Sequence, residues 1–239
     1  MKNLMLIFIS TAFFLSTTSV IASPIRFNFT GDVTSVNPDT NSPTTFEGEF
    51  NTTFNTSQKL SGFFIFDSTT PDTNTNIGDP DLATYVLTDI SFTIGSYTGG
   101  ASLFSTYNQI QIINATAGNG FFGDLYNPHI SSPIGLEIAS VSPEFFDIDF
   151  INTTTKTALT DDSLPLAPPL LSSFDSTTWS LTFNEPNTEG SAFRHIVSGT
   201  ITSLTTNVPE PSSILLVGLG LVTCYSGRNR RLSTRASLN

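Results

Sequence analysis

The chain has 239 residues, with 20 Asp and Glu against 9 Lys and Arg, a formal net charge of −11. A chain this acidic lacks the clustered cations that a phosphate backbone requires, which excludes nucleic acid as a partner. Its single cysteine, Cys224, precludes an internal disulfide, so the fold must rest on its core alone.

Met1-Lys2-Asn3 carries one positive charge, and residues 4–15 are nearly continuous apolar sequence. Polar residues follow, then Val20-Ile21-Ala22. This pattern predicts a secretory signal peptide over residues 1–22, cleaved between Ala22 and Ser23, with the Sec export machinery as its partner. Cutting there, and ahead of the C-terminal segment described below, leaves residues 23–208. That body holds 19 acids against Arg26, Lys59, Lys156 and Arg194, a net of −15. Such a charge favours solubility and attracts divalent cations.

The body is long enough for one sizeable core, and its many phenylalanines supply the apolar area. It reads as strands throughout. Residues 25–30 alternate apolar and polar side chains, and residues 45–50 do so more weakly, with Phe46, Gly48 and Phe50 on one face. Residues 59–66 end in Phe63-Phe64-Ile65-Phe66, apolar on both faces, which predicts a central strand. Alternation returns over 85–94, 109–113, 134–138, 146–150, 178–183 and 196–204. Each run is short, rich in β-branched and aromatic residues, and bounded by Gly, Pro, Asn or Asp. No window presents a sustained helical stripe. The expected fold is therefore all-β: one antiparallel β-sandwich over residues 23–204, jelly-roll-like or immunoglobulin-like. Two connections are long, residues 67–81 and 152–176, and the second is an excursion over the surface or a flap.

Chemistry-bearing residues are sparse. Glu137, Glu144, Asp147 and Asp149 are the densest acids near strands. Asp147 and Asp149 share a face with Phe145, while Phe146, Ile148 and Phe150 form the other. A hydrolase needs two positioned carboxylates or a nucleophile with a base, and a solvated outer face accounts for these acids as well. His129 follows Asn127-Pro128 in an expected loop, and His195 follows Arg194 at a strand start; their spacing matches no zinc site. No nucleophile elbow or phosphate loop is present, and the expectation is that the protein is not an enzyme. Asp67, Asp72, Asp79 and Asp81, with Asn74 and Asn76, place hard oxygens in one loop, the donor type that calcium takes six to eight of. Ordinary turn chemistry explains the same residues. Asp161-Asp162 is a weaker pair of the same kind. A sugar ring would stack on an exposed aromatic, for which Trp179 is the leading residue and Tyr97, Tyr107 and Tyr126 follow; a core role for Trp179 is the competing reading. Asn28, Asn51, Asn55, Asn114 and Asn152 open Asn-x-Ser/Thr sequons.

The chain closes on Val208-Pro209-Glu210-Pro211-Ser212-Ser213, an uncharged apolar run over 214–225, then Arg228, Arg230 and Arg231. A helix of about a dozen residues reaches ~18 Å, against a bilayer core of about 30 Å. The uncharged flanks bring the run close to a minimal span. The arginines then reach the headgroups and predict a cytoplasmic C-terminus. This places one C-terminal transmembrane helix in a sorting and anchor segment over 205–231, with a polar tail over 232–239.

Those three parts, in that order, resemble the PEP-CTERM sorting signal of Gram-negative bacteria. The resemblance implies an integral-membrane exosortase as partner. It would recognise Pro209-Glu210-Pro211, remove the anchor and pass the protein to the cell surface or to extracellular exopolysaccharide, the matrix of a biofilm. The polar extension over 232–239 and the Thr223-Cys224-Tyr225 ending of the apolar run depart from the usual pattern. Residues 64–72 and 197–202 resemble a recurrent class of body domains in such proteins, which assigns no chemistry. The expectation is an exported surface or matrix protein with a structural or adhesive role. The alternatives are a carbohydrate-binding module, with or without calcium, and, behind it, a polysaccharide hydrolase.

Overall fold

The computed structural model describes residues 23–39, 44–74, 81–101, 107–115, 122–186 and 192–206. The signal peptide, the sorting motif and the expected transmembrane helix lie outside the described residues. Among the described residues no helix is long and apolar enough to cross a membrane. The chain divides into two compact units between Thr205 and Thr206, and the fold below is that of the first.

The strands are β1 (Pro24–Asn37), β2 (Lys59–Asp67), β3 (Leu82–Val86), β4 (Asp89–Ile94), β5 (Tyr97–Gly100) and β6 (Gln109–Ile113). They continue with β7 (Asp124–Ser131), β8 (Ile134–Gly135), β9 (Pro143–Asn152), β10 (Ser176–Pro186) and β11 (Ala192–Thr206). One α-helix, α1 (Thr44–Thr53), lies between β1 and β2. The strands pair antiparallel, in the order β3-β6-β7-β9-β10-β11-β1-β2-β4-β5-β8. This differs from the expected sandwich, because the two layers are one continuous sheet that curls onto itself. Phe92 of β4 stacks on Phe146 of β9 with ring centroids 4.0 Å apart, although β10, β11, β1 and β2 stand between them in the sheet. Long strands such as β1 and β11 twist and coil, so a sheet can roll through them and cover its own apolar face without breaking in two. The core inside the roll includes Phe27, Phe29, Phe64, Phe66, Phe146 and Trp179, all buried.

The strand expected over residues 45–50 is a helix. Phe46 and Phe50 fit a period of two, but Phe54 completes an i, i+4, i+8 stripe that only a helical path brings to one side. All three rings are buried against Phe183, Tyr97 and His195. The single run expected over 85–94 breaks between Val86 and Asp89 into β3 and β4.

Close approach shapes the β1–β11 seam. A Cβ on Gly199 would stand 1.7 Å from Asp32 O, and one on Gly31 2.4 Å from Thr200 O. The Trp179 indole lies over these two glycines, and its Nε1–H donates to Asp32 O at 3.2 Å. The excursion after β9 is pinned at several points. Buried Asp124 accepts from the amides of Ala115, Ala158 and Leu159. Asn152 Oδ1 accepts from those of Thr155 and Lys156, and Asp175 from those of Thr153 and Thr154. These amide bonds, acting on an exposed carboxyl, hold Asp175 below the usual carboxylate range.

Candidate functional site

Alternation along β7 turns Tyr126 and Ile130 inward and leaves His129 and Ser131 on the outer face. Along β9 it buries Phe146, Ile148 and Phe150 and turns Phe145, Asp147 and Asp149 outward, as their spacing in the sequence predicts. The register places His129 opposite Asp147 and Ser131 opposite Phe145. His129 Nδ1 lies 2.5 Å from Asp147 Oδ1, and His129 Nε2 lies 3.0 Å from Ser131 Oγ. A carboxylate only accepts, so the proton of a neutral imidazole resides on Nδ1 and the Nε2 lone pair faces the serine hydroxyl. The imidazole rests against the Phe145 ring, centroids 5.7 Å apart. Side-chain exposures of 20% for His129 and 25% for Asp147 keep the pair within reach of solvent.

His129 was expected in a loop after Asn127-Pro128; the structure puts it inside β7. The β7–β9 pairing skips Asn127 and Pro128 and resumes in the same register at His129. Pro128 has no N–H to give to Ile148, which that register sets opposite it. Asn127 Nδ2 donates to Ile148 O instead, at 3.1 Å, and also to Asp149 Oδ1 at 2.9 Å. Burial and the neighbouring Asp147 charge push the Asp149 carboxyl above its ordinary range, against the pull of Asn127 and His129.

A cleft of about 560 Å³ begins at Ser132, the residue after Ser131. Its lining includes Pro133, Glu137, Pro143, Glu144 and Asn184, and no Lys or Arg. Glu144 is the extra residue of a β-bulge, since Phe145 pairs with Thr182 and Pro143 with Phe183. Its Oε2 is buried without a hydrogen-bond partner, as is the Tyr97 hydroxyl that lies under Gly135 in the cleft wall. Ser132, Ala139 and Ser140 all hold positive φ in this segment (53°, 46° and 67°), a backbone region that L side chains rarely adopt.

The other residues singled out in the sequence are scattered. Asp67 Oδ1 accepts from the amide and hydroxyl of Thr69 in the turn that ends β2, and Asp72 Oδ1 from the amides of Asn74 and of Thr84 in β3, so both carboxylates serve the local backbone. Asp81 precedes β3, and Asp79 and Asn76 lie outside the described residues. Among the described residues no three His, Cys, Asp or Glu side chains gather to hold a metal ion. Asp161 accepts from the Ser163 amide, and Asp162 O accepts from the Tyr85 hydroxyl, whose pKa is pushed up to about 12, first by burial and then by Asp162. Trp179, read in the sequence either as a core residue or as a sugar platform, is 1% exposed at the seam glycines and has no free face for a ring. Tyr97 and Tyr126 are buried as well, whereas Tyr107 is 66% exposed. His195 is inside β11, wholly buried beneath α1. The Asn152 sequon is buried. Ala22 and the sorting residues Val208, Pro209, Glu210, Pro211, Arg228, Arg230 and Arg231 lie outside the described residues; Ser23 is the first residue described.

Sequence reasoning overlooked Ser131 altogether, and no local motif marks it. Its partners come from two residues before it and from a strand joined to β7 across the cleft segment.

Residues 207–231 match the family model of the PEP-CTERM protein-sorting motif. The tail is a PEP-CTERM sorting signal. No curated protein and no solved structure matches the chain. The PEP-CTERM match covers the tail alone, and the body ahead of it is β-rich.

Proposed function

We propose that this chain is the exported precursor of a surface or extracellular-matrix protein. Its signal peptide engages the Sec machinery, its C-terminal segment holds it transiently in the inner membrane, and an exosortase trims it at Pro209-Glu210-Pro211. The trimmed body then has a structural or adhesive role in the envelope or exopolysaccharide. The PEP-CTERM match at residues 207–231 is the observation that carries the sorting route in this reading. The body supports it in two ways. β1 and β11 are antiparallel neighbours, with Thr30 Oγ1 3.3 Å from Thr202 Oγ1, so the residue after the expected signal cleavage and the end of β11 leave the sheet at one end. The core is also dense in buried aromatic rings, which suits a domain whose only cysteine lies in the tail.

The carbohydrate-binding alternative loses its leading platform with Trp179 in the core, and Tyr107 is the exposed ring left to it among those weighed. The test is cell fractionation with intact-mass analysis in a host that has an exosortase, beside a Pro209→Ala/Glu210→Ala variant. Wild-type protein outside the inner membrane with a mass ending near the motif, and a variant that stays anchored, are the expected results. Full-length protein in the inner membrane for both would reduce the tail to a plain anchor.

A further inference from the structure

The outer-face cluster of β7 and β9 goes beyond display. We propose that Ser131 is a base-activated nucleophile, with His129 as its general base and Asp147 as the residue that orients the imidazole, and that it hydrolyses uncharged, activated carboxylic esters.

A serine hydroxyl is a weak nucleophile until a base within hydrogen-bond reach takes its proton and a third group holds that base in the right tautomer. Both conditions are met here: Ser131 Oγ lies 3.0 Å from His129 Nε2, and His129 Nδ1 lies 2.5 Å from the Asp147 carboxylate. The strand register fixes both spacings. Phe145 packs on the imidazole, and Asn127 engages Asp149 at 2.9 Å, leaving Asp147 to face the histidine. No short motif displays this arrangement, because Ser131 and His129 are two apart on one strand and Asp147 is on its neighbour.

In the reaction, Ser131 Oγ bonds to the ester carbonyl carbon while its proton passes to His129 Nε2. The tetrahedral adduct collapses, the carbon–alkoxide bond breaks, and the leaving oxygen takes the proton from Nε2. Water then adds to the acyl-serine with His129 again accepting a proton. The serine leaves protonated and a carboxylic acid is released. The balance is ester plus water giving acid plus alcohol, with no other reactant.

Two features set the substrate class. Asp147 and Asp149 share the outer face with Ser131, and the neighbouring cleft, whose lining starts at Ser132 and does not include Ser131, adds Glu137 and Glu144 with no Lys or Arg; this acidic surround disfavours anionic esters. The amide after the nucleophile, Ser132 N–H, already donates to Glu144 O at 2.6 Å, so it is not available to hold an oxyanion. Acceleration then rests on the base and the nucleophile, on the order of 10²–10⁴-fold, enough for activated esters and not for amides.

The test treats the full chain, solubilised in a non-ionic detergent, with a fluorophosphonate probe and, separately, with p-nitrophenyl acetate. The expected result is one phosphonyl adduct that peptide mapping places on Ser131. It is absent in Ser131→Ala and forms at least ten-fold more slowly in His129→Gln, with ester turnover falling in step. Asp147→Asn slows labelling while its melting curve stays at the wild-type position, and Asp147→Glu restores part of the rate; a merely structural aspartate would not give that split. No adduct on Ser131 in the wild type overturns the proposal, as does labelling at an equal rate in His129→Gln.

Discussion

His195 and His129 each face a carboxylate, and the two regions use the same chemistry to opposite ends. His195 is wholly buried, with its ring 4.0 Å from that of Phe46 and against Phe50. The Asp39 amide donates to its Nδ1 at 3.0 Å, so the remaining proton sits on Nε2, 3.3 Å from Glu185 Oε2. Both nitrogens are committed to structure, and burial draws the imidazole below its ordinary pKa despite Glu185. His129 carries its proton on the other nitrogen, at the solvent edge, with a hydroxyl on its free side. Burial makes one histidine a fastener for α1; partial exposure gives the other a partner that can react.

The comparison breaks most sharply at Phe50. It packs on Phe46, Phe54, Phe183 and His195. Phe50→Ala is expected to cost about 3–5 kcal/mol, read as a lowered urea midpoint. If the loss is instead below ~1 kcal/mol, α1 is not the lid over His195.

The titration of His195 gives a smaller effect. Its pKa is lower folded than unfolded, so between the folded value and about 6.5 the unfolded chain binds more protons. The contribution is fully present above about pH 6.5 and is lost as pH falls below it, with a slope of at most about 1.4 kcal/mol per pH unit. His195→Gln cannot titrate there. The difference between wild-type and variant denaturation curves from pH 7.5 to 5 should carry that slope, and parallel curves would remove His195 as its source.

Asp149 gives the smallest and opposite effect. Its carboxyl is held up by burial and by Asp147, so the folded state binds the extra proton. Stability then rises as pH falls from neutrality through the folded pKa towards the ordinary carboxylate range. Asp149→Asn keeps an oxygen for Asn127 and sheds the charge. Its melting temperature at pH 7 should rise slightly, a gain below about 1 kcal/mol, and the gain should vanish near pH 4. A loss at pH 7 would mean that Asp149 holds the outer face together as an anion.

Much of the fold was legible from period-two alternation. Residues 109–113 form a strand with those bounds, and β1, β2, β9, β10 and β11 extend the predicted runs at one or both ends. The errors have local causes. Phe46 and Phe50 satisfy both periodicities until Phe54 is counted, and Asn127-Pro128 reads as a turn because the side-chain amide that replaces the missing N–H cannot be foreseen from β7 alone. The outward placement of Asp147 and Asp149 was readable; their neighbours across the sheet were not. Trp179 had two readings in the sequence, and the glycines that make its seat come from β1 and β11.

By itself the sequence determined the PEP-CTERM sorting signal over residues 207–231, since such a signal is a linear order of motif, apolar run and arginines. It also determined which face of each strand is apolar, because side chains alternate with every residue. Tertiary structure decided that the strands form one curled sheet, and that Ser131, His129 and Asp147 meet. The face a residue takes is a local property of the backbone. What lies beside it is set by the register of a strand elsewhere in the chain, which only the packed core selects.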